Sequence, residues 1–149
     1  RAGVYVFFDL VMAGIGACKV SEIALSVLVT VLGHQEEKGW IVTDGGWMAM
    51  SRDRGTAKQA VDQGYGLVCD LDGKPIEGLV MSDANQEHGI LSFRDAVARQ
   101  RLKQDFPLGR RLRILPNHAC STSAQHLQYN VINADADPSI TIWPRFNGW

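Results

Sequence analysis

The sequence predicts a mostly β, antiparallel domain with a few short helices, and three observations carry the prediction. Short apolar runs rich in Val, Ile and Leu recur along the 149 residues, at lengths suited to strands. Turn signals separate them, among them Asp44-Gly45-Gly46, Asp70-Leu71-Asp72-Gly73-Lys74-Pro75 and Asp135-Ala136-Asp137-Pro138, where Gly supplies positive φ and Asp bonds its own backbone. No internal repeat or low-complexity stretch is visible. Runs of short strands without crossover helices build antiparallel sheets.

Taken in order, Gly3 to Val11 reads as a strand from its Val, Tyr and Phe content, with Tyr5, Phe7 and Asp9 on one face. Gly14 and Gly16 break it, and Ser21 is placed to cap a turn with Glu22 in its first positions. Leu25 to Leu32 favours strand, because β-branching increases along it. His34 to Lys38 is a polar turn, and Trp40 to Thr43 a short strand ending at the glycine pair. Trp47 to Met50 precedes a polar loop, Ser51 to Gly55, and a short helix is predicted over Thr56 to Val61. Tyr65 to Cys69 and Ile76 to Ser82 form a hairpin about the Asp-Gly-Pro turn. After Asn85 to His88 comes a short strand at Ile90, then one or two helical turns from Asp95 to Leu102 and a loop, Phe106 to Gly109. Arg111 to Leu115, Leu127 to Asn133 and Ile140 to Pro144 are the last strands. The closing aromatics Trp143, Phe146 and Trp149 are expected to pack, since they are costly to leave wet.

A chain of this size can bury a core of its own. Its net charge of −1 gives no basic stripe for nucleic acid and no polybasic run for anionic lipid. The densest basic group, Arg110, Arg111 and Arg113, reads as strand residues with solvated heads. The apolar run from Val4 to Ile15 is interrupted by Asp9 and too short to span a membrane. Three widely spaced cysteines, Cys18, Cys69 and Cys120, make no disulfide framework and fit a reducing, cytoplasmic setting. Neither a Gly-x-Gly-x-x-Gly turn nor a phosphate-binding loop is present. A start at Arg1, directly before an apolar segment, reads as a processed chain or a segment of something longer.

The residues that bear chemistry cluster late. In Pro116-Asn117-His118-Ala119-Cys120 an imidazole and a thiol stand two positions apart, and on an extended segment they would point the same way. Both are zinc ligands when deprotonated. Two are too few for a structural site but sufficient for an open one, with His88, His126 or Asp44 as candidates for a third. The alternative is a buried cysteine beside a hydrogen-bonded histidine. A third reading makes Cys120 a nucleophile paired with His118 or His126. Gln86-Glu87-His88-Gly89 places a carboxylate beside an imidazole, a candidate for proton transfer or a polar surface turn. Asp53, between Arg52 and Arg54, reads as part of a loop ion-pair network.

Several blocks in this order resemble a known family: Tyr5-Val6-Phe7-Phe8-Asp9, the run Asp44 to Gly55, Tyr65-Gly66, Gln86-Glu87-His88-Gly89 and Ile114 to Cys120. The chain resembles, over essentially its whole length, the C-terminal β domain of the D-threonine aldolase and D-serine dehydratase group. These are fold-type III pyridoxal-phosphate enzymes related to alanine racemase. The resemblance implies that residues 1–149 are that domain, with the (β/α)8 barrel that carries pyridoxal phosphate lying outside this chain. It implies a divalent metal at His118 and Cys120, zinc before manganese or magnesium because thiolate is the softer ligand. It implies a D-3-hydroxy amino acid substrate, a homodimer, and His88 as the candidate catalytic contact. Lys19, Lys38, Lys58, Lys74 and Lys103 show no sign of being a Schiff-base lysine. The isolated chain is therefore expected to be inactive. Dehydratase chemistry is the expectation; an aldolase-like lyase, or a docking domain without chemistry of its own, are the alternatives.

Overall fold

A computed structural model describes residues 3–95, 102–132 and 140–146. Six strands, β1 (Val27–Gln35), β2 (Trp40–Thr43), β3 (Gly66–Cys69), β4 (Pro75–Ala84), β5 (Gly89–Phe93) and β6 (Arg111–Pro116), close into a barrel. Their order around it is β1-β2-β5-β4-β3-β6, with every neighbouring pair antiparallel. A separate two-stranded sheet pairs β7 (Gln128–Val131) with β8 (Thr141–Pro144). Among the described residues are four short α-helices, α1 (Leu10–Gly14), α2 (Trp47–Met50), α3 (Leu102–Asp105) and α4 (Ala119–Ala124), and three 3-10 turns. The expected antiparallel β class is thus the class observed.

Period-two alternation decides what fills the barrel. Val27, Val29 and Val31 of β1 are buried while Leu28 and Leu32 are exposed. The register sets Val27 and Val29 against Ile114 and Leu112 of β6, which are also buried. Ile41, Val68, Leu79, Met81 and Leu91 join them, all fully buried. Each such side chain stabilises the fold by roughly 1.5–3 kcal/mol on burial, so the interior alone is a substantial core. The opposite faces of β3 and β6 carry Cys69 and Leu115, and these are covered from outside by Leu10 and Ile23.

That cover corrects the reading of the N-terminal segment as a strand. Val4–Val6 is a 3-10 turn and α1 follows, with Asp9 as its N-cap accepting from Met12 N at 3.0 Å. Packing against the outer barrel face overrides the β propensity of Val, Tyr and Phe. The helix expected over Thr56 to Val61 is instead a series of turns. Other boundaries lie close to expectation: Trp40–Thr43 matches, β1 runs on to Gln35, and β4 extends to Ala84. The Asp70 turn is as expected, its Oδ1 accepting from Asp72 N and Lys74 N at 3.0 and 2.9 Å. The predicted helix over Asp95 to Leu102, the Asp135 turn and Trp149 lie largely or wholly outside the described residues. The described C-terminal aromatics do not pack as expected: Trp143 is 57% exposed and Phe146 96%.

The antiparallel order gathers the chemistry-bearing residues at one end. The starts of β1, β3 and β5 and the ends of β2, β4 and β6 share a barrel rim, as the pairings Thr43↔Gly89, Ala84↔Gly89, Gly66↔Met81, Gly66↔Pro116 and Val27↔Ile114 require. Asp44 and His88 directly adjoin these strand ends, and His118 lies two residues past Pro116. The glycines of this rim permit close approach: a Cβ on Gly46 would meet the carbonyl oxygens of Asn85 and Gln86 at 2.4 and 2.5 Å. Gly46 N, Trp47 N and Met48 N accordingly donate to Glu87 O, Asn85 O and Gln86 O at 3.0, 3.0 and 3.1 Å. The turn before β5 thereby sits on the first turn of α2.

Candidate metal centre

Strand β6 stops at Pro116, and beyond it the chain leaves the extended conformation. His118 has β-region dihedrals and is the N-cap of α4, which puts Cys120 in the first turn of a helix. The expectation that both side chains project from one extended segment is therefore corrected. Both are nevertheless exposed, unlike Ala119 between them, which is buried. The sequence of α4, Ala-Cys-Ser-Thr-Ser-Ala, has modest helix propensity, so the helix depends on bonds from elsewhere. Asp9, 1% exposed, accepts from Ala119 N through Oδ2 at 3.0 Å while its Oδ1 caps α1. One buried carboxylate thus joins the starts of two helices, where negative charge is favoured.

Asn117, 2% exposed, anchors the segment just before His118. Its Nδ2 donates to Asp53 O at 2.9 Å and Gly64 O at 2.7 Å, and its Oδ1 accepts from Thr56 Oγ1 at 2.9 Å. Farther along, Thr122 Oγ1 donates to Met50 O at 2.6 Å, and His126 Nε2 donates to Ala49 O at 2.9 Å. These satisfy carbonyls at the C-terminal end of α2 that have no partner within the helix. Helix α4 is in this way stitched along residues 49–56.

The same stitching locates Asp53. Its Oδ2 lies 2.7 Å from His118 Nδ1 and accepts from Ser121 Oγ at 2.7 Å, and Ser121 Oγ is 2.9 Å from His118 Nδ1. The Ser121 hydroxyl holds the Asp53 carboxyl below the usual carboxylate range; partial burial works against this and His118 adds to it. The expected Arg52–Asp53–Arg54 network is not what forms. Arg54 pairs with Asp62 at 2.8 Å, and Arg52 lies over the Trp47 ring. Ser51, just upstream, has φ 77° and ψ 168°, a region almost reserved for glycine. Its Oγ accepts from Asp53 N at 3.2 Å, so a strained residue helps to place Asp53. Asp53 and Ser121 are the residues that sequence reasoning missed. The three-residue spacing from His118 to Ser121 on a helix start was the one local signal; the Asp53 contact spans 65 positions.

The other candidates separate. His126 gives its Nε2 to Ala49 O, and Asp44 Oδ1 accepts from Thr30 N at 2.7 Å. His88 is exposed in the turn before β5, and its ring has no hydrogen bond among the described residues. No group of three His, Cys, Asp or Glu placed to hold one ion is found among the described residues. Of the cysteines, Cys69 is fully buried with its thiol pushed up to about 11 by burial, and burial also raises Cys18. Cys120 alone is exposed. The donor set of this corner is hence an imidazole held through Nδ1 and an accessible thiol, both of them donor types that zinc accepts. Pyridoxal phosphate is not fitted in the same way: all five lysines are exposed, not desolvated as a Schiff-base lysine is.

Comparison with known proteins supplies a context for this corner. The family model described as "Putative serine dehydratase domain" matches residues 24–132. The D-threo-3-hydroxyaspartate dehydratase of Delftia sp. (strain HT23) is 59% identical over all 149 residues, which span 39% of that protein. Its solved structure superposes with a TM-score of 0.93. Two further structures of that enzyme, at TM-score 0.93 and 58% identity, carry a histidine-to-alanine change and, in a metal-free form, a cysteine-to-alanine change. Those two positions are two residues apart. D-serine dehydratase of Dictyostelium discoideum is 29% identical over 89% of the chain and 33% of its own length. The D-threonine aldolase of Filomicrobium marinum shares the fold alone, at 23% identity and TM-score 0.54 over 80% of this chain and 27% of that one. The chain thus spans about two-fifths or less of the length of the dehydratases it matches. No helix among the described residues is long and apolar enough to cross a membrane.

Proposed function

The chain belongs to the serine dehydratase domain family, and on that premise we propose that residues 1–149 form the metal-bearing C-terminal β domain of a pyridoxal-phosphate- and metal-dependent dehydratase of D-3-hydroxy amino acids. The observation that carries the reading is the exposed His118–Cys120 pair at the head of α4, one donor fixed from behind and the other accessible. The spacing of the two substituted residues in the Delftia enzyme, one variant being metal-free, supports assigning metal binding to this pair.

His118 and Cys120 would hold the ion, zinc by the softness of the thiolate. A metal held there would supply Lewis-acid chemistry for polarising a substrate hydroxyl. The residues that would position it are Asp9, Asn117 and Asp53, which fix the start of α4 and the ring of His118. His88, on the same rim, is the candidate catalytic contact with substrate, its ring without a hydrogen-bond partner among the described residues. Cofactor and Schiff-base lysine belong to the remaining part of the full-length protein, so the isolated chain is expected to be inactive. Identity favours dehydratase over aldolase, 59% against 23%.

The test is metal analysis of the full-length protein and of its His118→Ala and Cys120→Ala variants, with D-3-hydroxyaspartate and D-serine as substrates. One zinc per chain, lost in both variants together with ammonia release, is expected. Wild-type metal content in both variants would overturn the reading. Docking is a second role of the same domain. Leu127, Ile132, Ile140, Ile142, Trp143 and Phe146 stand exposed on and beside β7 and β8, an apolar surface suited to covering by the rest of the protein or a second copy.

A further inference from the structure

We propose that Asp53 and Ser121 are positioning residues that hold His118 in the Nδ1–H tautomer and so present its Nε2 to a divalent metal ion. The inference rests on the metal reading above and assigns the state of the ring, which that reading leaves open.

Donors and acceptors decide the tautomer. A carboxylate only accepts, and a serine hydroxyl has one proton to give. Ser121 Oγ lies 2.7 Å from Asp53 Oδ2 and 2.9 Å from His118 Nδ1, and Asp53 Oδ2 lies 2.7 Å from the same nitrogen. If Nδ1 carried no proton, its lone pair would face the Oδ2 lone pairs at hydrogen-bond distance. With Nδ1 protonated, all three contacts are satisfied: Ser121 donates to Oδ2, and Nδ1–H is shared between Oδ2 and Oγ. The lone pair then lies on Nε2, which has no partner among the described residues.

The main chain that carries the carboxylate is anchored on both sides. Asn117 Nδ2 donates to the Asp53 carbonyl, and Asp53 N donates to Ser51 Oγ. A carboxylate bonded at Nδ1 lies across the ring from Nε2, so Asp53 is not a third ligand of the same ion. This agrees with the absence of a three-residue cluster among the described residues. A ligating imidazole whose other N–H meets a carboxylate is oriented and made more basic, and loss of such a partner typically weakens metal affinity 10–100-fold.

The experiment is zinc titration of the full-length protein against a competing chromophoric chelator, with the His118 tautomer read by long-range proton–nitrogen NMR of the metal-free protein. Wild type should show Nδ1–H. Asp53→Ala should weaken zinc about 10–100-fold and raise the Nε2–H population, Ser121→Ala should do less of both, and Asp53→Asn, which keeps an acceptor and the shape, should lie between. Asp53→Asn also serves if Asp53→Ala misfolds. Nε2–H in the wild type, or unchanged zinc affinity in both Asp53 variants, would overturn the proposal. His118→Ala separates the two levels: zinc bound as in wild type sinks the metal reading, whereas zinc lost there but kept in the Asp53 variants sinks only the positioning role.

Discussion

His118 and His88 stand on the same rim of the barrel, each next to a small residue, yet the protein treats them in opposite ways. His118 has its Nδ1 against Asp53 and Ser121, on a segment tied down by Asn117, Asp9 and Thr122. The His88 turn is held through main-chain groups, Asn85 N donating to His88 O at 2.8 Å, and its ring is left unbonded among the described residues. A metal ligand must be in place before the ion arrives, because ordering it later costs affinity. A residue that meets substrate can take its orientation from that substrate. On the proposed function, the difference is that between a ligand corner and a contact residue, although the two histidines look alike as sequence.

The largest expected effect tests that separation directly. In the full-length protein His118→Ala should remove the bound metal and with it several kcal/mol of transition-state stabilisation, about 10²–10³-fold in rate. His88→Ala should leave metal content intact and cost activity about 10-fold or more through lost proton transfer or substrate contact. Metal lost equally in both variants would break the comparison and return His88 to the ligand set.

Next in size is the anchor. Asn117→Ala leaves Thr56 Oγ1 and the Asp53 and Gly64 carbonyls without their buried partner. Unsatisfied buried groups cost about 1–3 kcal/mol each when water cannot reach them. Roughly 2–4 kcal/mol of destabilisation is expected, read as a lowered unfolding midpoint, together with weaker zinc binding. A zinc affinity unchanged in a destabilised variant would show that Asn117 supports the fold but not the ligand corner. The matching change at the other histidine, Glu87→Ala, removes an exposed side chain and should fall within about 0.5 kcal/mol of wild type.

How far this contrast was legible in the sequence depends on the range of the interactions. Strands such as Trp40–Thr43 and the Asp70 turn are local: β-branching, a glycine at φ 82° and an aspartate bonding two residues on fix them. The His118-x-Cys120 pair was visible as a spacing. Its setting was not. Helix α4 begins because Asp9, 110 positions away, bonds Ala119 N, and no propensity in Ala-Cys-Ser-Thr-Ser-Ala announces it. Asp53 carries the same lesson, since its flanking arginines suggested a local ion pair and its partners proved to be tertiary. The N-terminal segment failed in the opposite sense: its composition favours a strand, and burial of Leu10 against Cys69 and Leu115 makes it helical instead.

A smaller effect concerns the strained residue that leads into Asp53. Ser51→Gly relieves a positive φ at the cost of the Oγ bond to Asp53 N, whereas Ser51→Ala loses the bond and keeps the strain. Glycine should therefore be the more stable of the two by about 1 kcal/mol, measured as the difference in unfolding midpoint between the variants. Alanine equal to or better than glycine would mean that residues 51–53 relax, and that the ligand corner is less rigidly built than the comparison holds.

The smallest effect is the pH dependence of Asp53. Ser121 holds its carboxyl below the usual carboxylate range, with His118 adding to this. Between the ordinary value near 4 and its lower folded value, the unfolded chain binds more protons than the folded one. Stability then rises with pH through that window. The contribution is fully present above about pH 4 and is lost as pH falls through the folded value. Because the Asp53 side chain is 44% exposed, solvent screening keeps it small. Hydrogen exchange of the peptide covering 117–125 can resolve it, since the wild-type to Asp53→Asn ratio cancels the intrinsic pH dependence of exchange. That ratio should favour the wild type at neutral pH and approach one on acidification. For His88→Ala the same ratio should stay flat below about pH 4, because no carboxylate holds that ring among the described residues. A flat ratio for Asp53→Asn as well would show that the carboxylate does not tie α4 to residues 49–56, and the two histidines would then differ only in their neighbours.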